Sequence, residues 1–358
     1  MEVVDDVLRR SMLLAEGYRL GTLENKGRAL ALASDRLLLI NPGTQKHHVL
    51  WHEGSHGEIA YDSLSGAIYF INRYGAIWRK KVDGAAATLF AEPPLLAGDY
   101  DDAAIGFLRN HETRYPIGLR IPRYTWCLQI SRDASAIVTI RKAPPSRYHV
   151  VVLERTGGVS TLFEVVYPAG LGVCFEKSWI AHPGSGRSAP RIFDLTGREL
   201  FDFSEAISCE ISKETNWYEA AISPIDNSVA LASGPLGPLI VWRPLVGEVN
   251  LIDSQGVLPS WSPDGRWLWY RKGSREVWRF DMKTQRSEVF LRIGGRDCYE
   301  THGSATVWGH PARFSRRGNY VLLDISSGDT SAACIADMKA KTVQVMEPWT
   351  RGPATWLI

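Results

Sequence analysis

The stretch Leu258 to Glu288, LPSWSPDGRWLWYRKGSREVWRFDMKTQRSE, lays out one complete four-stranded antiparallel unit. Pro259 to Ser262 reads as a short apolar strand, Pro263-Asp264-Gly265 supplies turn chemistry, and Arg266 to Tyr270 alternates large apolar residues as a second strand does. Lys272-Gly273-Ser274 breaks the run. Glu276 to Asp281 alternates again with period two, Lys283-Thr284-Gln285 turns the chain, and Ser287 to Leu291 makes a fourth strand.

The same order of turn, strand, break, strand, turn and strand recurs along the chain. Glu24-Asn25-Lys26-Gly27 precedes RALALAS and RLLLINP, Ser63-Leu64-Ser65-Gly66 precedes AIYFIN and AIWRKKV, and Arg132-Asp133-Ala134-Ser135 precedes AIVTIRK and YHVVVLE. Glu176-Lys177-Ser178, Pro224-Ile225-Asp226-Asn227 and Arg316-Arg317-Gly318 open three more copies. Such repetition predicts an all-β chain folded as a seven-bladed β-propeller of four-stranded antiparallel blades, with six or eight blades as alternatives. The expected blades are residues 17–54, 55–94, 124–164, 166–204, 216–254, 257–292 and 305–349, in a single domain over 1–358 with an insertion at 92–123. The first and last blades each count four strands of their own. Ala354 to Ile358 is available to add a strand, and Val3 to Leu14, which alternates poorly, to form a helix.

Trp261-Ser262-Pro263-Asp264-Gly265 resembles the hallmark of the TolB and WD40-like (PD40-type) propeller repeats, a short apolar strand, S-P-D-G and an aromatic strand. Phe314-Ser315-Arg316-Arg317-Gly318 and Ile222-Ser223-Pro224-Ile225-Asp226 match it in part. This resemblance implies a superfamily and no particular member. In the last blade, Gly309-His310-Pro311-Ala312-Arg313-Phe314-Ser315 is similar to the corresponding start in oligogalacturonate lyases, propellers that hold manganese with histidines and a glutamine. Trp308 and Ala305 stand where that family has a further histidine and the glutamine, so the resemblance does not extend to its metal cage.

Composition narrows the classes. The 41 basic and 39 acidic residues leave a net charge of +2, too small a field to indicate nucleic acid or an anionic membrane as partner. The N-terminal MEVVDDVLRRSMLLAEGYRL carries acids where a secretory signal carries bases, and no apolar run reaches the ~20 residues of a membrane span. A cytoplasmic location is the expectation. Cys127, Cys174, Cys209, Cys298 and Cys334 are dispersed, without C-x-x-C or zinc spacing, which fits free thiols in a reducing compartment. The 13 tryptophans suit the widening space between packed sheets better than a carbohydrate site.

Topology sorts the loops. Links between blades and loops between second and third strands emerge at one end of each blade, here called the linking end. His52, His56, His111, His302 and His310 are expected on links, and His149 and His182 beside second-to-third-strand loops. Long segments also fall there, from Glu92 to Arg123, Glu205 to Trp217 and Ile293 to Val307. The aspartates of Gly98-Asp99-Tyr100-Asp101-Asp102 lack calcium-loop spacing and read as a cap for a short helix at Ala103 to Asn110. No G-x-S-x-G elbow, G-x-G-x-x-G or P-loop is present.

The preferred expectation is a scaffold that grips a protein or peptide partner at its linking face, with Arg114, Tyr115, Arg123, Tyr124, Trp217, Tyr218 and Tyr299 as anchors, since Tyr, Trp and Arg dominate binding hot spots. For each, packing against its own loop is the alternative. The rival is a lyase- or hydrolase-type enzyme, or a small-ligand binder, with His302 or His310 as acid or base and Arg123, Arg296 and Glu300 at an axial pocket. No cofactor is required. A divalent metal is compatible with His52, His56 and His111, without a local motif behind it.

Overall fold

A computed structural model describes residues 12–21, 29–33, 36–41, 46–51, 55–62, 64–72, 76–84, 86–91, 123–131, 133, 135–143, 147–156, 158–165, 170–184, 188–205, 215–234, 236–273, 276–293, 311–315, 317–327, 330–346 and 354–356. The chain starts with β1 (Met12–Leu14), β2 (Arg19–Leu20), β3 (Ala29–Ala33), β4 (Arg36–Ile40) and β5 (His47–Trp51). Regular blades follow: β6 (Ser55–Asp62), β7 (Ala67–Asn72), β8 (Ile77–Lys81) and β9 (Thr88–Ala91), then β10 (Arg123–Ile130), β11 (Ala136–Ala143), β12 (Arg147–Glu154) and β13 (Val159–Val165). Next come β14 (Gly172–Cys174), β15 (Trp179–His182), β16 (Arg191–Asp194) and β17 (Glu199–Asp202), and β18 (Glu219–Ile222), β19 (Val229–Ala232), β20 (Leu239–Arg243) and β21 (Glu248–Asp253). The last are β22 (Val257–Trp261), β23 (Trp267–Lys272), β24 (Glu276–Asp281) and β25 (Arg286–Ile293), β26 (Arg313–Phe314), β27 (Tyr320–Ser327), β28 (Thr330–Asp337) and β29 (Thr342–Val345), and finally β30 (Ala354–Trp356).

Six blades, not seven, consist of four consecutive antiparallel strands, running from β6–β9 to β26–β29. The expected first blade, 17–54, fails as a self-contained unit because it holds only three strands of its own sheet. β2 leaves it to pair in parallel with β29, and the order β30-β3-β4-β5 shows its fourth strand coming from Ala354–Trp356. Uniform four-stranded blades do not hold either, since β1 extends β25 and β2 extends β29, making two five-stranded sheets. Met12–Leu14 is thus a strand and not the end of a helix. The segment Ala103 to Asn110 lies outside the described residues.

One turn device explains why the repeat survives in so little sequence. In four of the six blades a buried serine closes the first strand, and its N–H donates to the carbonyl five residues on at 2.9 Å: Ser131 to Ala136, Ser223 to Ser228, Ser262 to Trp267 and Ser315 to Tyr320. In three of these the Oγ also accepts the N–H of that later residue, at 2.9–3.0 Å. Asp264 completes the S-P-D-G turn by accepting from Ser262 Oγ and from the Arg266 N–H, while Gly265 supplies a φ of +66°. Turns between third and fourth strands use an aspartate that accepts the N–H two residues on, as at Asp194, Asp281 and Asp337.

The chain forms two compact units. One comprises Met1–Ala33, Leu38–Val49 and Ala169–Ile358, the other Ser34–Leu37 and Leu50–Pro168. In the first, the β18–β21 sheet is buried on both faces. Ile240 and Trp242 of β20 pack with Phe203 and Trp217, whereas Leu239 and Val241 of the same strand pack with Leu268 and Tyr270. Trp269 of β23 faces onward, against Phe290, Val321 and Leu323. In the second unit Tyr69, Ile71 and Ile77 pack with Leu128, Ile137 and Val151, and Trp51 lies 5.5 Å from Trp78 between ring centroids. Most tryptophans described are thus filler between sheets, as expected. Cys174 and Cys334 are buried and form no disulfide. No helix among the described residues is long and apolar enough to cross a membrane.

Replacing Ser262 by Ala strands the Trp267 N–H in a buried turn and is expected to cost about 1–3 kcal/mol in urea denaturation. Deleting residues 350–358 removes the β30 ladder and is expected to lower stability by about 2 kcal/mol, visible as a fall of several degrees in Tm.

Candidate functional site

Antiparallel alternation puts the start of each first strand, the end of each fourth and the second-to-third-strand loop at one end of a blade. In the larger unit this linking end holds a recessed carboxyl, Glu219, at the start of β18. The first strands lie side by side here: Gly170 bridges Glu219 in parallel, and an added Cβ at Gly172 would sit 2.9 Å from the Ala220 carbonyl oxygen. Glu219 Oε2 accepts the Leu258 N–H at 2.5 Å. Leu258 holds a φ of +54°, strained for a branched side chain, next to a register shift between Val257 and Ser260. The neighbouring cross-strand ties are Trp261 Nε1 to the Ala221 carbonyl at 3.0 Å and Ser260 Oγ to the Ala312 carbonyl at 2.5 Å.

Glu219 is only partly accessible and lies deep among protein atoms, so its charged form is poorly solvated. Burial pushes its carboxyl up to about 7, against the opposing pull of the Leu258 N–H and the Arg271 guanidinium. Arg271 is 5% exposed on β23, in register with Val257. Beside it, Lys272 Nζ pairs with Asp253 at 2.9 Å, and the Tyr270 hydroxyl donates to the same carboxylate. A carboxyl that changes charge near neutrality, beside a buried guanidinium, can exchange a proton or answer a ligand's charge.

In the smaller unit a polar row crosses the linking end of β10–β13. Tyr124, Arg141, His149 and Glu164 are successive partners across all four strands. Arg141 Nη2 lies 3.1 Å from His149 Nδ1 and 3.3 Å from Thr161 Oγ1, and His149 Nε2 faces Glu164 at 3.6 Å. With Arg141 donating to Nδ1, the imidazole carries its proton on Nε2, toward the carboxylate.

Of the residues singled out from sequence, His52, His111, Arg114, Tyr115, Arg296, Tyr299, Glu300, His302 and His310 lie outside the described residues. Arg123 and Tyr124 fall on β10 and His56 on β6, with only their backbone described. Tyr218 is exposed, next to Glu219. Trp217 is not an exposed anchor: it is 4% exposed, with its ring 5.8 Å from Phe203 in the layer between two blades. His149 and His182 do lie beside second-to-third-strand loops, and His182 Nδ1 accepts from the Gly184 N–H. Glu219, Arg271, Arg141 and Glu164 were missed. Their one signal is an acid opening the apolar strand EAAI or a charge closing an apolar one.

No protein-family model and no curated protein matches this chain. Solved structures do. An oligogalacturonate lyase in complex with manganese aligns with TM-score 0.58 at 10% identity, covering 85% of this chain and 84% of that one. An oligogalacturonate lyase from Vibrio parahaemolyticus gives 0.57 at 9%, covering 91% and 97%. A chain of a mitotic checkpoint complex gives 0.56 at 12%, covering 91% and 90%. The fold is a β-propeller. At these identities the likeness carries the fold alone.

The raised Glu219 pKa has a signed consequence. Between the ordinary value of 4.5 and about 7 the folded chain holds a proton that the unfolded chain has lost, so stability falls as pH rises through that window. The penalty has a ceiling of about 3 kcal/mol. Glu219→Gln, whose amide oxygen still accepts from Leu258, is expected to raise urea stability at pH 8 and change it little at pH 5; equal effects at both would show an ordinary surface carboxylate.

Proposed function

We propose that this chain is a propeller scaffold that recognises a protein or peptide partner at the linking ends of its blades. One observation carries the reading. Tyr218 is 44% exposed, and its ring rests against Gly234, where φ is +102° and an added Cβ would meet the ring at 3.3 Å. Leu236, in the same loop, is 85% exposed. An aromatic anchor already ordered on glycine, beside an exposed leucine, binds with little further loss of freedom. Arg114, Tyr115, Arg123, Tyr124 and Tyr299 are proposed to extend this surface. The likeness to TolB and WD40-like repeats supports the reading, as does the neighbour found in a checkpoint complex. The buried cysteines without a disulfide support a reducing, cytoplasmic setting.

Glu219 favours a second reading, a lyase- or hydrolase-type enzyme or small-ligand binder, in which it joins His302, His310, Arg123, Arg296 and Glu300. A neighbour's manganese does not transfer with the fold. Among the described residues no group of three His, Cys, Asp or Glu is placed to hold a metal, and Trp308 and Ala305 replace two ligands of the lyase pattern. A divalent metal stays part of the second reading through His52, His56 and His111, whose side chains lie outside the described residues.

Quantitative capture from source cells, with Tyr218→Ala/Leu236→Ser beside a control on the opposite end, the exposed Ile225→Ser, tests the scaffold. A partner lost roughly tenfold only with the double variant is expected. A partner held equally by both variants, or stoichiometric metal in the purified protein, would turn the reading toward the rival.

A further inference from the structure

We propose that the groove between β17 and the β20–β21 turn is a separate recognition site, and that its occupant is an arginine or lysine side chain of a partner protein. The groove encloses about 330 Å³ and is walled by Leu200, Phe201, Trp242 and Pro244, with Glu199 and Asp202 alongside. That volume is at the small end of ligand pockets, right for one long side chain. The turn joining third and fourth strands lies at the opposite end of its blade from Tyr218, so the site is independent of the scaffold surface.

Charge selects the occupant. Glu199 and Asp202 share one guanidinium, with Arg191 Nη1 at 3.2 Å from the first and Nε at 3.5 Å from the second. Two carboxylates against one cation leave a net charge of −1 (−2 + 1), and the nearby Arg243 adds nothing because Glu248 pairs with it at 3.0 Å. An aliphatic stem can lie on Leu200, Pro244 and the Trp242 ring while its cationic head reaches the two carboxylates. Trp242 is 2% exposed and packs against Phe203, so it serves the groove as a fixed apolar wall. An apolar ligand would leave the charge unanswered, and an anion would be repelled.

The probe is N-acetyl-arginine amide, titrated into the full chain by calorimetry and by following the Trp242 indole N–H in NMR spectra, with the norleucine and glutamate amides as controls. Saturable binding of the arginine amide is expected, at least roughly tenfold tighter than either control. It should weaken about tenfold with Glu199→Gln, an exposed change that spares the core, and weaken again in high salt. It should persist in Tyr218→Ala/Leu236→Ser, which separates it from the scaffold reading. No saturation by the arginine amide, or equal binding of the norleucine amide, overturns the proposal.

Discussion

The β18–β21 sheet of the larger unit has two apolar faces, each covered by a neighbouring sheet. In β20 four consecutive residues, Leu239 to Trp242, are each at most 2% exposed, which alternation permits only if another sheet covers each side. The β18–β21 blade is accordingly gripped between Phe203 and Trp217 on one face and Leu268 and Tyr270 on the other. A single blade would expose both of these faces. Mutual burial thus fixes the stacking of successive sheets, and stacking brings first strands from separate repeats side by side.

That juxtaposition makes the chemistry. Glu219 and Leu258 are 39 residues apart, yet their hydrogen bond spans neighbouring first strands. The strained backbone at Leu258 persists because the carboxyl and the flanking Ser260 and Trp261 ties hold it from both sides. Low solvation there raises the cost of charge on Glu219, whereas Asp133, in an exposed turn, is held near 2 by hydrogen bonds from Ser131 and Ser135. The same side-chain chemistry gives a titratable group in one place and a fixed turn brace in the other.

The turns were the most legible part of the chain, since Ser262, Asp264 and Gly265 act through bonds within six residues and need no tertiary partner. The site was far less legible. Trp217 and Tyr218 are adjacent in sequence, yet one is buried against Phe203 and the other exposed, because loop position does not say which sheet lies behind a side chain. Histidine drew attention as a titratable residue, while Glu219 passed as an ordinary acid opening a strand.

The sequence by itself determined the repeat, its four-strand order and its turn chemistry, all set by local periodicity and short hydrogen bonds. Only the tertiary structure decided that 17–54 is not a self-contained blade, since the ladder of β3 is completed by Ala354–Trp356 and β2 joins β29. It alone also decided the Glu219 environment and the groove beside Trp242. Pairing between distant strands and the solvation of a carboxyl depend on which surfaces meet, and no local pattern records that.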